Sequence, residues 1–421
     1  MAVFARFSDL ADVLRDRNYR LYLIGNFASS VGIWVQKIAI GWLAWELTKS
    51  PAWLGIISLA ETGPTIALGL YSGALLDRLD HMRVLRVTQA LTLLYATALA
   101  VLTLSGLMNI WWLTGLVLFR GTIFSINRPA RQTVVFDLVG RAFLPSALAI
   151  NATVFNSSKF IGPAIGGFCI VWIGSGGTFV VSLLLMLVFT ASLRLMQVTP
   201  HPRPVREQVS IGHDMLDGLR YVVTHKGVRL QLGLLIALAL FAKPLTDLLP
   251  GFVSDIFQHD ARGLAILLGC HGLGAMAGGM WLSARNTLKG LVTIAVCSIC
   301  VTAVALIVFS LTSIFWLAGL LLALLGFLFV TTDISSQTLI QASIRTRYRG
   351  RTMSIYGMVA QGVPAVGSML MGFSAEYMGL QTPVLIGGIL CLAVAGAAWF
   401  FRRSMIDNLE IGRTGPEPTS R

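Results

Sequence analysis

The run Gly73-Ala74-Leu75-Leu76-Asp77-Arg78-Leu79-Asp80-His81-Met82-Arg83-Val84-Leu85-Arg86 breaks a long apolar stretch with charge, after which the apolar pattern resumes. It reads as a tight turn between two membrane-spanning helices. An acid closing one apolar helix, with Arg78, Arg83 and Arg86 before the next, is costly unless the turn lies in water or a polar interface. The turn is therefore a candidate hinge or latch.

Outward from this turn the rest of the chain repeats its pattern. Of 421 residues 55% are apolar and only 12% charged, with a mean hydropathy of +0.76, far more apolar surface than a soluble core of this size needs. A helix crosses the hydrocarbon with about 20 apolar residues. Twelve such runs start near residues 21, 51, 87, 110, 144, 176, 228, 263, 290, 314, 352 and 381. The reading is an all-α membrane protein with twelve transmembrane helices in two six-helix lobes.

Its expected parts are a cytoplasmic segment at 1–20, a first lobe at 21–197, a linker at 198–227, a second lobe at 228–402 and a disordered tail at 403–421. Residues 1–20 are polar and show no cleavable leader, so the first span is expected to remain as an uncleaved anchor. In the linker, Met215, Leu216, Leu219, Val222 and Val223 recur at helical spacing opposite His213, Asp214, Asp217 and Arg220, the pattern of an amphipathic helix lying on the membrane face.

The net charge of +13 could suggest nucleic acid, but its distribution excludes that partner. Alternate loops and both termini hold 26 of the 32 Lys and Arg, while the other loops hold only Lys49 and Arg262. By the positive-inside rule both termini face the cytoplasm. The five cysteines all fall inside apolar runs, which implies packing and no disulfide framework. No cofactor and no metal is called for.

The remaining cations lie within spans, and these carry the candidate site. Gln36 and Lys37 sit too deep in the first span for simple snorkelling. Glu61 near the middle of the second and Arg120 near the middle of the fourth invite pairing, because either alone is expensive; a static pair and a transport role are about equally expected. Lys159 opens the kinked Gly162-Pro163-Ala164-Ile165-Gly166-Gly167 stretch of the fifth span. In the seventh, Lys243 and Asp247 stand four apart on one helical face, a self-neutralised pair. Asp333 ends the tenth.

Gly162-Pro163 and Gly166-Gly167 have a counterpart in Gly362-Val363-Pro364-Ala365-Val366-Gly367, and each follows a basic turn, Gly140-Arg141 or Arg349-Gly350-Arg351. Six spans thus form one repeat, the pattern of a rocking transporter with its site near mid-membrane.

With these elements assembled, residues 15–405 resemble the major facilitator superfamily. Its signature loop between spans two and three is matched by Gly73, Asp77, Arg78 and Arg83, with Asp80 in place of the usual second glycine. The runs 42–55 and 128–132, and Arg349-Gly350-Arg351-Thr352-Met353-Ser354, resemble the third drug:proton antiporter family, which includes enterobactin exporters and macrolide efflux proteins. Gly162, Pro163, Gly166 and Gly167 match the antiporter motif, while Ile123 and Phe124 depart from the motif that follows Arg120.

The resemblance implies a monomeric secondary exporter of a bacterial inner membrane, embedded in the lipid bilayer and driven by protons. Its cargo would be a small amphiphilic molecule, a siderophore or a drug. It further implies that Asp77 latches one state against the N-terminus of span eleven, and that Arg83 or Arg86 pairs with Asp137. A nutrient importer and a non-transporting receptor or scaffold stay open as alternatives. An enzyme does not, since no nucleophile and base cluster is found.

Overall fold

The computed structural model describes residues 15–76, 79–197, 220, 222–285, 287–344 and 346–411. Among them every long element is a helix. In chain order these are α1 (Arg17–Thr48), α2 (Pro51–Leu76), α3 (His81–Leu104), α4 (Ile110–Gly140) and α5 (Ser146–Leu195). After the linker come α6 (Lys226–Phe241), α7 (Leu245–Gly251), α8 (Ala261–Arg285), α9 (Leu291–Leu311), α10 (Phe315–Ser343), α11 (Thr346–Met378) and α12 (Gln381–Ile406).

Ten segments of the described residues are long and apolar enough to cross a membrane. One of them, α5, has 50 residues and leaves helical geometry at Gly174, where φ is 69°. At about 1.5 Å per residue it is more than twice the hydrocarbon thickness, so it holds two crossings. With α2, a further helix of 26 residues, the architecture is consistent with twelve spans.

Local chemistry sets the helix starts. Asp16 accepts the amide of Tyr19 at 2.7 Å, Asp80 that of Arg83 at 2.9 Å, and Asn109 that of Trp112 at 2.9 Å. Asp80, the residue that departs from the signature loop, is thus the N-cap of α3. The segment 128–132 is helical, and α4 runs on to Gly140, where φ is 68°.

Two compact units divide the chain. One takes 1–49, 60–207 and 258–269, the other 50–59, 208–257 and 270–421. The division differs from the expected lobes in giving the start of α2 to the second unit and the start of α8 to the first. In the first unit Tyr19, Tyr22, Met82, Leu85, Val134, Val135 and Phe189 form a buried core, with Tyr22 edge-on to Phe189 at 5.8 Å.

Residues 198–219 and 221 lie outside the described residues, and so does most of the amphipathic pattern expected there; at its end 220 and 222–224 are helical, with Val222 buried and Val223 exposed. The tail boundary at 403 is corrected: α12 continues to Ile406 and a π-turn follows at Asp407–Ile411. There Glu410 accepts the amides of Gly290 and Val292, both at 2.9 Å. Gly290 cannot cap α9 with a side chain of its own, so a carboxylate from the distant end of the unit does so. Glu410→Ala should lower thermal stability in detergent by about 1 kcal/mol, and truncation after residue 406 by at least as much; an unchanged melting curve for both would show that the cap carries no weight.

Candidate functional site

In the first unit α4 meets α2 at Gly121, where a Cβ would stand 2.4 Å from the backbone oxygen of Glu61. Only glycine allows that approach. It brings the Arg120 guanidinium, 7% exposed, into a hydrogen bond and ion pair with the Glu61 carboxylate. Tyr95 of α3 and Lys37 of α1 act electrostatically on the same pair. Acid and guanidinium thus pair where α2 and α4 meet, with the ammonium and the phenol within electrostatic reach.

Lys37 also has an indole for a neighbour. Its Nζ lies 5.7 Å from the Trp34 ring, and Lys159 Nζ lies 5.9 Å from that ring and 4.9 Å from Phe155. The helices carrying these groups touch at Gly162 and Gly166: a Cβ at Gly162 would be 2.3 Å from Trp34 Cβ, and one at Gly166 3.1 Å from the Val35 oxygen. Pro163, between them, does not interrupt the helical backbone of α5. Gln36 points elsewhere, fully buried, its Nε2 donating to Ser182 Oγ at 3.3 Å. Gly167 approaches Ala265 of the first unit's own α8 segment.

A second polar cluster of this unit is absent from the sequence reading. Arg131 donates to Asn127 at 2.8 Å, Asn26 at 3.0 Å, Ser29 at 3.0 Å and Gln89 at 3.3 Å, with its guanidinium 4.5 Å from the Phe189 ring. These acceptors are neutral amides and a hydroxyl spread over α1, α3 and α4. The signal for them was the clustering of Asn and Gln in otherwise apolar spans, which only the fold assembles.

In the second unit the expected Lys243 and Asp247 pair is replaced. Pro244 has no amide to give, and the helix is interrupted between Phe241 and Leu245, so the helical i to i+4 geometry is lost. Lys243 instead donates to both oxygens of Asp333 at 2.9 Å, and Tyr356 donates to the Asp333 carbonyl at 3.0 Å. Asp247 accepts from Ser58 and Ser368, each at 2.7 Å.

Of the turn residues, Asp77 and Arg78 lie outside the described residues, and Gly73 is described only as part of α2. Arg349, Gly350 and Arg351 are described only as part of the first turns of α11. Asp137 faces His81, where Arg83 or Arg86 was expected. His81 Nδ1 lies 2.9 Å from it, while His81 Nε2 donates to the Leu76 carbonyl at 3.1 Å. Arg83 gives its backbone amide to Asp80, and Arg86 reaches the Met196 carbonyl at 3.5 Å.

A family described as transmembrane secretion effectors matches residues 8–418. The staphyloferrin A transporter of Staphylococcus aureus is 23% identical over 400 residues, covering 94% of this chain and 99% of that protein. The multidrug efflux pump Tap of Mycolicibacterium fortuitum is 24% identical, covering 88% of this chain and 94% of its own length. Among solved structures, a bacterial homologue of the human lysosomal transporter Spinster superposes with a TM-score of 0.70 at 13% identity, over 94% of this chain and 99% of that one. This last likeness concerns the fold alone.

The two ion pairs differ in burial, and their energetics should differ accordingly. Glu61→Gln or Arg120→Gln strands a buried charge and should cost about 3–5 kcal/mol, whereas removing both together should cost less than the sum. Lys243→Gln should cost less than either single change, because the Asp333 side chain is 34% exposed. Thermal unfolding of the four variants in detergent measures this, and strictly additive losses at Glu61 and Arg120 would show that the two are not coupled.

Proposed function

The chain belongs to the transmembrane secretion effector family of the major facilitator superfamily, a membrane transporter and not an enzyme, and from that premise we propose that it is a proton-coupled exporter of small amphiphilic compounds. The observation that carries the reading is the Glu61–Arg120 pair. Burial favours the neutral form of an acid and a neighbouring guanidinium favours the anion, so opening or closing the pair changes the proton affinity of the carboxylate. A group of this kind couples a proton gradient to a conformational cycle. No nucleotide-binding segment is needed.

The relative named for multidrug efflux supports outward movement of drug-like cargo, and the one named as a staphyloferrin A transporter supports a siderophore as an alternative cargo. The bias of Lys and Arg to alternate loops supports cytoplasmic termini in a bacterial inner membrane. In the proposed cycle the Gly73-Asp77-Arg78-Arg83 loop and the Arg349-Gly350-Arg351 turn act in switching between states, while Gln36, Lys37, Glu61, Arg120, Lys159, Lys243, Asp247 and Asp333 serve coupling and the cargo. A monomer suffices for it.

In proteoliposomes with an imposed pH gradient, the wild-type protein should move at least one of ethidium and carboxyfluorescein, and an uncoupler should abolish the accumulation. Glu61→Gln, reconstituted at matched protein level, should lose gradient-driven accumulation while keeping exchange down a concentration gradient. Uncoupler-insensitive accumulation would refute proton coupling, and full accumulation by Glu61→Gln would remove Glu61 from that role.

A further inference from the structure

The two units repeat the same helix contacts at the same spacing, which sets one position of the second in register with Arg131 of the first. In the first unit α5 meets α1 where Gly166 approaches the Val35 oxygen, and α4 meets α2 where Gly121 approaches that of Glu61. In the second, α11 meets α6 where Gly367 approaches the Leu240 oxygen, and α10 meets α8 where Gly326 approaches that of His271. Asn26 precedes Val35 by nine residues, as Gln231 precedes Leu240, and Arg131 follows Gly121 by ten, as Ser336 follows Gly326. On the same count Asn127 corresponds to Thr332. The corresponding residues also touch: Arg131 donates to Asn26 at 3.0 Å, and Gln231 Nε2 donates to Ser336 Oγ at 2.7 Å.

At this place the first unit holds a cation in a shell of neutral oxygens, those of Asn26, Ser29, Gln89 and Asn127. The second unit keeps oxygens of the same kind, with Ser336 in place of the arginine. Thr332 has Ser335 and Ser336 as its i+3 and i+4 neighbours, so the three hydroxyls share one face of α10. All three, and Gln231, are 0% exposed. Among the described residues, Gln231 Oε1, Thr332 Oγ1 and Ser335 Oγ have no hydrogen-bond partner. Thr331 shows the ordinary alternative, donating to the Leu328 carbonyl at 3.0 Å. A buried polar atom without a partner is costly, and a group that coordinates it removes the cost.

We propose that the second unit binds a small monovalent cation, sodium, through Gln231 Oε1 and the hydroxyl oxygens of Thr332, Ser335 and Ser336, where the first unit holds its own guanidinium. Every atom of the set is a hard oxygen, which suits an alkali cation. The set contains no carboxylate, since the neighbouring Asp333 accepts from Lys243 with both oxygens, and a divalent ion would keep charge that nothing offsets. Full burial admits an ion and excludes the body of a cargo. Gln231 lies five residues from the start of α6 and Ser336 seven from the end of α10, roughly 8–10 Å along each helix, a short way for an ion to travel. The inference goes beyond the transporter reading and stands on binding alone.

In detergent the wild-type protein should melt at a higher temperature in sodium chloride than in N-methylglucamine chloride at equal ionic strength and pH. The gain should saturate, because a ligand that binds only the folded state stabilises it by mass action. Radioactive sodium should bind the same protein saturably, and Gln231→Leu or Thr332→Val should weaken that binding by about tenfold or more. Ser336→Arg supplies the cation from the chain itself, as Arg131 does in the first unit, so this variant should melt independently of sodium and bind none. Should the variants not fold, the wild-type comparison of the two salts still decides. Equal melting curves in both salts without saturable sodium binding would overturn the proposal, and so would sodium binding that survives undiminished in Gln231→Leu and Thr332→Val. None of these measurements depends on flux, so a failure of the export reading and a failure of this one are separately visible.

Discussion

An ionised side chain within the hydrocarbon is costly unless another charge or a set of dipoles accompanies it, and both units are arranged around that constraint. Glu61 and Arg120 meet only because Gly121 removes the side chain that would hold α4 away from α2. The ion pair is thus a product of helix packing. The same logic places Arg131 among amides and a hydroxyl, a solvation shell of protein dipoles in place of water. Three solutions to one problem appear: a full ion pair, a neutral cage, and a cation resting on aromatic rings.

Small residues decide which of these forms where. Gly162 brings α5 onto α1 at Trp34, and in the second half Gly367 brings α11 onto α6 at the Leu240 oxygen, where a Cβ would be 2.4 Å away. The two glycine-rich stretches that repeat in the sequence therefore make equivalent contacts, each with the first helix of its own half. Their chemical surroundings have diverged. Beside the first contact lie two lysines and an indole, and beside the second Pro244 breaks the helix and turns Lys243 toward Asp333.

The helical architecture and its charge bias were legible in the sequence because apolar run length and loop charge are one-dimensional quantities. The Glu61 and Arg120 pairing was legible as well, since depth in a span can be counted along the chain. What could not be read was partner choice where the backbone departs from a straight helix. Lys243 and Asp247 are four apart, yet Pro244 voids the geometry that spacing assumes, and Asp247 finds two serines instead. By charge and position alone, Arg131 falls with Arg128 and Arg141 between two spans. The helix nevertheless continues to Gly140, and four polar residues from three helices converge on the guanidinium.

Asp80 shows how a departure from a family pattern can be structural in origin. A glycine at that position would free the loop, whereas an aspartate accepts the Arg83 amide and fixes where α3 begins. His81 then follows as the first helical residue, tied at once to the Leu76 carbonyl behind it and to Asp137 on α4. Asp80, His81 and Asp137 thus fix how α3 begins and meets α4, while the Glu61–Arg120 pair lies deeper in the same unit.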